Sequence, residues 1–340
     1  MGHTAQPDKR VILNGTPGTC EESGNRAGEP PADLFISFHL FPRLTMEPKN
    51  PRKFDQGVYD LFDEYVHGDI DRRGFIDGAA KFTVGGMTAA MMLDALNPRF
   101  AEAEVVRKDD KRIVAEYVEY PSPQGNPKMR GYLVRPAGKK GKLAGVLVVH
   151  ENRGLNPHIE DIARRVALEG FMAFAPDALF PLGGYPGDED KARELFPKLD
   201  QAKTREDFVA AAGWLKGRAD CTGKVAVVGF CYGGGIANML AVRVPDLAGA
   251  VPFYGGQPKA EEVASIKCPL LLHYAEKDER LTAGWPPYQE ALKANKVRYE
   301  AFVYPGTQHG FNNDTTPRFD KDAATLAWKR TLEFFEKNLK

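Results

Sequence analysis

A single thiol sits where a strand should turn into a helix. Val225-Ala226-Val227-Val228 is an apolar, β-branched run that ends at Gly229; Phe230 and Cys231 follow, and Gly233-Gly234-Gly235 lead into a helical stretch from Ile236 to Val242. Strand, sharp turn and helix in that order hold Cys231 on the turn. Gly229 and Gly233 then flank a residue in a strained backbone conformation, where a β-carbon would collide with a neighbouring element. The geometry sets the sulfur at a helix N-terminus, where unpaired N–H groups and the macrodipole favour the thiolate. It also aims the backbone N–H of Tyr232 at a developing oxyanion. Such a thiolate is a nucleophile for acyl transfer if a base and an acid stand beside it. Alone, the pattern is equally that of a buried cysteine in an ordinary βα turn, so the partners decide.

The elements that position those partners alternate along some 230 residues. Ile113–Tyr120 and Met129–Arg135 alternate apolar and polar residues around a Pro- and Gly-containing turn, as in a β-hairpin. Ala144–His150 is a nearly continuous apolar run, typical of a strand buried on both faces of a parallel sheet. Helix over 158–169, strand over 171–177, helix over 205–216 and the Cys231 unit follow. Strands over 248–254, 269–275 and 299–304, a helix near 288–294 and a closing helix over 322–338 complete the pattern. The fold class is α/β: a doubly wound, mostly parallel sheet with right-handed crossovers. Ligand sites in such sheets lie at the carboxyl ends of the strands. The residues at those ends are Glu151, Asp177, Cys231, Tyr254, Asp278 and His309. His309, in a glycine-flanked loop after the last strand, suits the base that takes the Cys231 proton and returns one to the leaving group. Asp278 suits the acid that orients the imidazole, with Glu276 and Glu279 as neighbouring competitors. The order Cys, Asp, His, with gaps of 47 and 31 residues, is the order used on the α/β-hydrolase fold.

The elbow Gly229–Gly234, the segment His150-Glu151-Asn152-Arg153-Gly154-Leu155-Asn156, the strand end Ala175-Pro176-Asp177 and the Asp278 and His309 loops together resemble the dienelactone hydrolase (carboxymethylenebutenolidase) family over residues 105–340. The resemblance implies an α/β-hydrolase with an N-terminal helical extension, cleaving a small-molecule ester or lactone through a Cys-His-Asp triad without a cofactor. It further implies that Glu151 contacts the resting thiol and helps control its ionisation, and that the N–H of Asn152 is the second oxyanion donor beside Tyr232. Dienelactone-cleaving members clamp the substrate carboxylate with two arginines. Arg193 stands as the counterpart of one, whereas Asn313 replaces the arginine four residues after the histidine. The natural substrate need not, on that account, be a dienelactone. A different class of reading keeps Cys231 as a redox-sensing or carrier thiol on a fold that does not hydrolyse.

The remainder of the chain bounds these readings. Hydrophobic residues make up 43%, enough for a sizeable core, and 46 basic residues balance 46 acidic ones. That balance offers no bulk electrostatic handle for nucleic acid or an anionic membrane. Cys20, Cys221, Cys231 and Cys268 have no metal-ligand spacing, and His150, His158 and Asp161 are not arranged to hold an ion, so no metal is expected. His273 reads as a packed core residue, Cys221 and Cys268 as structural, and the Gly183–Gly187 loop as part of a pocket rim. Residues 1–52, rich in Pro and turn formers, read as a poorly ordered tail, and 53–104 as a helical extension. Its apolar residues Leu61, Phe62 and Tyr65, and Met87 and Met91, are expected to dock on the main domain or on a second subunit of a homodimer. Arg72-Arg73 before a small-residue stretch and Ala101-Glu102-Ala103 resembles a twin-arginine export signal. The long preceding segment and the interrupting Lys81 and Asp94 argue against it. The expected location is therefore cytoplasmic, with periplasmic export as the alternative. No run reaches the ~18–20 apolar residues of a membrane span.

Overall fold

The computed structural model describes residues 54–83 and 85–340; the tail expected over 1–52, with Cys20, lies outside them. Four helices come first: α1 (Gln56–His67), α2 (Arg72–Ala79), α3 (Ala89–Leu96) and α4 (Phe100–Ala103). The hairpin follows as β1 (Ile113–Pro121) and β2 (Lys128–Pro136), then β3 (Leu143–Val149), α5 (Pro157–Leu168) and β4 (Met172–Pro176). Next are α6 (Glu189–Leu195), α7 (Gln201–Gly217), β5 (Cys221–Phe230), α8 (Tyr232–Arg243) and β6 (Gly249–Phe253). The chain closes with β7 (Leu270–Ala275), α9 (Glu279–Thr282), α10 (Trp285–Ala294), β8 (Tyr299–Tyr304) and α11 (Lys321–Leu339).

The eight strands form one sheet in the order β1-β2-β4-β3-β5-β6-β7-β8. β1, β2 and β4 pair antiparallel, and every pairing from β4 through β3 to β8 is parallel. The apolar run of β3 is buried at all seven residues, as a strand covered on both faces requires. α5 packs over β2 and β4, α7 and α8 over β5, and α11 over β5 to β7. This is the mostly parallel α/β-hydrolase sheet that the sequence pattern predicts.

Three differences have local causes. β5 begins at Cys221, ahead of its apolar run, because Leu143 pairs with Cys221 across a register shift; Thr222 and Lys224 are exposed and carry no hydrophobic signal. α6, not expected from periodicity, is a short helix started by the Asp188 carboxylate, which accepts the Lys191 N–H at 2.8 Å. α8 begins at Tyr232, so Gly233-Gly234-Gly235 lie inside its first turn rather than before it. There they let backbone touch backbone. A Cβ on Gly233 would stand 2.3 Å from Val149 O, and one on Gly234 would stand 2.5 Å from Phe253 O.

The N-terminal helices have their own apolar cluster, which includes Val58, Phe62, Tyr65, Phe75, Met92 and Leu93. Phe62 and Tyr65, expected to dock on the main domain or a second subunit, lie in this cluster with Leu61 and Met87 packed against it, while Met91 is 53% exposed because Met92 and Leu93 take the buried positions of α3. Arg72 and Arg73 form the first turn of α2, and Arg72 pairs with Asp190 of the main domain at 3.2 Å.

Glycine substitutions test this packing. Gly234→Ala should cost about 3 kcal/mol or more, because only backbone can yield around it. Gly213→Ala, in mid-α7 with nothing within 4 Å, should gain about 0.5–1 kcal/mol. Urea unfolding of both variants measures the contrast, and a neutral Gly234→Ala would refute the close contact.

Candidate active site

Cys231 follows the last residue of β5 and adopts φ 54°, ψ −112°. A β-carbon-bearing residue held there costs on the order of 1–3 kcal/mol. The neighbours impose it: Cys231 N–H donates to Phe253 O at 3.1 Å, and its carbonyl accepts from Gly235 N–H at 3.2 Å. The side chain is thereby thrown above the carboxyl ends of the strands. Tyr232 is the first residue of α8, and neither its N–H nor that of Asn152 donates to a protein acceptor among the described residues.

His309 comes from the loop after β8 and Asp278 from the start of α9. His309 Nδ1 and Asp278 Oδ2 are 2.5 Å apart, and both side chains are buried. Asp278 has two duties: Oδ1 accepts the Leu281 N–H at the N-terminus of α9 while Oδ2 holds the imidazole. The competing acids are otherwise engaged or outside, since Glu276 accepts the Gly306 N–H at 2.8 Å and Glu279 is exposed. The His309 ring rests against Tyr254 with centroids 5.0 Å apart.

The loop after β3 is set by His150, whose fully buried ring links two backbones. Nε2 accepts from Ala178 N–H at 3.2 Å and Nδ1 donates to Glu151 O at 2.6 Å. Burial drives its pKa down to about 4, so the ring is neutral and that pairing holds. Glu151 itself accepts from Asn313 Nδ2 at 2.9 Å and makes no hydrogen bond to the Cys231 sulfur among the described residues. The polar partner of the sulfur is instead His67, with Nε2 3.5 Å from Sγ.

His67 is the residue that sequence reading missed. It ends α1, whose last turn docks on the loop after β3: Val66 O accepts from Asn152 Nδ2 at 2.6 Å and from Arg153 Nη1 at 3.0 Å. A guanidinium there also complements the negative end of the helix dipole. His67 Nδ1 lies 2.7 Å from Asp63 O, and Asp63 also meets Arg318 at 3.3 Å. The i, i+4 pair of Asp63 and His67 at the end of an amphipathic helix was the available signal. Nothing in α1 alone says what it faces.

A narrow cavity, partly open to solvent, lies over the sulfur. Phe62, Tyr65, Val66, Asn97 and Pro98 form its N-terminal wall; Glu151, Glu189, Asn313, Arg153 and Arg318 face them. Asn313 is thus at the cavity but occupied with Glu151. Arg193 stands behind the wall, 4.5 Å over the Tyr65 ring. The guanidinium groups at the cavity are those of Arg153, which the sequence reading named only as part of the segment after β3, and Arg318, which it did not name. The Gly183–Gly187 loop lies outside the lining; the adjoining wall is Glu189 and Asp190, where α6 starts. His158 pairs with Asp314 and Asp161 caps the Val105 and Val106 N–H groups, the two acids joined through Arg165 and none of them at the cavity, and His273 is a core residue between Thr331 and Tyr304.

A profile described as the dienelactone hydrolase family matches residues 129–339. The chain belongs to the dienelactone hydrolase family. It is a carboxylic ester hydrolase. An Escherichia coli K12 protein provisionally described as a carboxymethylenebutenolidase is 32% identical over 247 residues, 68% of this chain and 90% of the relative. A provisionally described hydrolase fragment from the same organism, YghX, is 57% identical over 114 residues, 34% of this chain and 97% of the fragment. The crystal structure of a protein provisionally described as a dienelactone hydrolase, from Klebsiella pneumoniae, aligns with a TM-score of 0.59 at 30% identity, over 66% of this chain and 99% of that one. A second profile, YqhI-like, matches residues 46–81, which take in α1 and α2. His67 therefore belongs to a segment outside the dienelactone hydrolase match.

The electrostatics around Cys231 follow from two imidazoles. Burial alone would push the Cys231 thiol up, but the charges of His309 and then His67 outweigh it and bring the pKa down to about 6. Burial opposes charge on His67 as well, yet the thiolate and Asp63 hold it up at about 9. His309 is raised for the same reason, by the thiolate, Asp63 and its bond to Asp278. The thiolate form is thus present above about pH 6. In a Cys20→Ser background, iodoacetamide alkylation of Cys231 should titrate there, below the ~8.5 of a free thiol. His67→Gln should move the midpoint upward. A wild-type midpoint of a free thiol would end the ion-pair assignment.

Proposed function

We infer that Cys231, His309 and Asp278 hydrolyse an ester or lactone through a thioester. The observation that carries this reading is the 2.5 Å bond from His309 to Asp278 beside a cysteine at φ 54°. The thiolate attacks the carbonyl carbon and forms the C–S bond, while the N–H groups of Tyr232 and Asn152 receive the oxyanion. Collapse breaks the C–O bond, and the alkoxide leaves with a proton from His309. His309 then takes a proton from water, the hydroxide cleaves the thioester, and the acid departs as Cys231 is restored. Asp278 keeps the imidazole in the useful tautomer throughout. Cys231→Ala should lower turnover more than about 1,000-fold with the circular dichroism spectrum unchanged. Wild type mixed with p-nitrophenyl acetate should show an acyl adduct on Cys231 by mass spectrometry, followed by turnover. Retained rates in the alanine variant, or an acyl adduct that never clears, would defeat the scheme.

Neutral esters fit the cavity better than an anionic lactone. The position of the second clamping arginine is Asn313, already bonded to Glu151, and Arg193 is turned onto Tyr65. Arg153 and Arg318 are partly answered by Glu189 at 3.8 Å and Asp63 at 3.3 Å. A missing charged hydrogen bond is worth about 1.5–3 kcal/mol. We therefore expect kcat/KM for short-chain neutral esters to exceed that for dienelactone by at least about tenfold, the lower end of that range. A preference for the anionic lactone in a substrate panel would reverse this assignment.

A further inference from the structure

Three donor atoms converge over the elbow. His67 Nε2, Cys231 Sγ and His309 Nε2 all lie within 4.8 Å of one another, and the His67–Cys231 edge is 3.5 Å. Around a tetrahedral zinc ion, with Zn–S near 2.3 Å and Zn–N near 2.0–2.1 Å, the S···N and N···N edges are about 3.3–3.6 Å. One edge already has that length, and the others need closing by no more than about 1.5 Å.

The second ring nitrogens are placed as histidine ligands need them. His309 Nδ1 is held by Asp278 Oδ2 at 2.5 Å, and His67 Nδ1 by Asp63 O at 2.7 Å with Asp63 Oδ2 at 3.4 Å. Such partners fix the ring plane and leave the Nε2 lone pair to face the ion. His309 Nε2 is buried and hydrogen-bonded to no protein atom among the described residues. One thiolate and two imidazoles form a donor set of borderline softness that suits Zn²⁺ and not Ca²⁺ or Mg²⁺. The exposed Arg280 approaches His67 Nε2 at 3.4 Å and has to swing outward for an ion to enter.

We propose that Cys231, His67 and His309 form an inhibitory zinc site, with the fourth position open to water or a small anion. Zinc replaces protons held by the three side chains, these pass to buffer, and no electron moves. With its lone pair on the metal, the sulfur no longer attacks a carbonyl, and His309 no longer carries a proton. The inhibition rests on the hydrolytic reading of Cys231; the coordination does not. A cysteine and one histidine alone would offer two ligands, so the third, His67, makes the site a property of the N-terminal segment.

The test uses the full-length, untagged protein freed of metal. Zn²⁺ titrated against a chromophoric chelator should bind at one equivalent, and His67→Gln should weaken that binding at least tenfold. Co²⁺ in place of zinc should give a sulfur-to-cobalt charge-transfer band in wild type and none in Cys231→Ala. Hydrolysis of p-nitrophenyl acetate should fall at the zinc concentration that fills the site and return on chelation. Equal affinity in His67→Gln, a missing sulfur–cobalt band, or full hydrolysis at saturating zinc each overturns the proposal. If His67→Gln does not fold, the cobalt spectrum of wild type decides.

Discussion

The first turn of α8 presses on the backbones of β3 and β6 with no side chain between, and the site is levelled from that contact. Gly233 abuts the end of β3 and Gly234 the end of β6. β3 runs on into His150, Glu151 and Asn152, and β6 runs on into Tyr254, which supports the His309 ring. The Cys231 sulfur, the Glu151–Asn152 loop and the His309 ring therefore share one rigid reference. A β-carbon at either place, 2.3 or 2.5 Å from a carbonyl oxygen, would force them apart. The strain stored at Cys231 is held by the same packing.

A second unit completes the site from the other side. The N-terminal helices carry their own apolar cluster and meet the main domain largely through polar groups: the carbonyl of Val66 on Asn152 and Arg153, Asp63 on Arg318, and Gln56 on Gln308 at 2.9 Å. The wall they form, with Phe62 and Tyr65, faces the acidic and basic groups of the hydrolase domain. Family membership accounts for one side of the cavity. The other side is supplied by a segment outside the family match.

How much of this was legible in the sequence follows from where each signal resides. The sheet was readable because buried parallel strands are continuous apolar runs, and the order of Cys231, Asp278 and His309 was readable because strand ends converge whatever the loops do. The start of α8 was misplaced because three glycines look like a turn until the contact they permit is seen. The choice of Asp278 over Glu276 depends on a 2.5 Å bond, which spacing cannot show. His67 escaped notice because its meaning is entirely tertiary, set by a partner 164 positions along the chain. Glu151 was assigned to the thiol by family resemblance; here Asn313 holds it, and an imidazole from α1 has the place beside the sulfur.

Asp63 links two roles that chemistry usually keeps apart. Its carboxylate grips Arg318, which fastens the helix, and its backbone oxygen and carboxylate hold the His67 ring, which sustains the negative sulfur. Removing the helix would thus withdraw a cation from the sulfur. With His67 gone from its place the sulfur would be left to His309 alone, and less of it would be ionised at neutral pH.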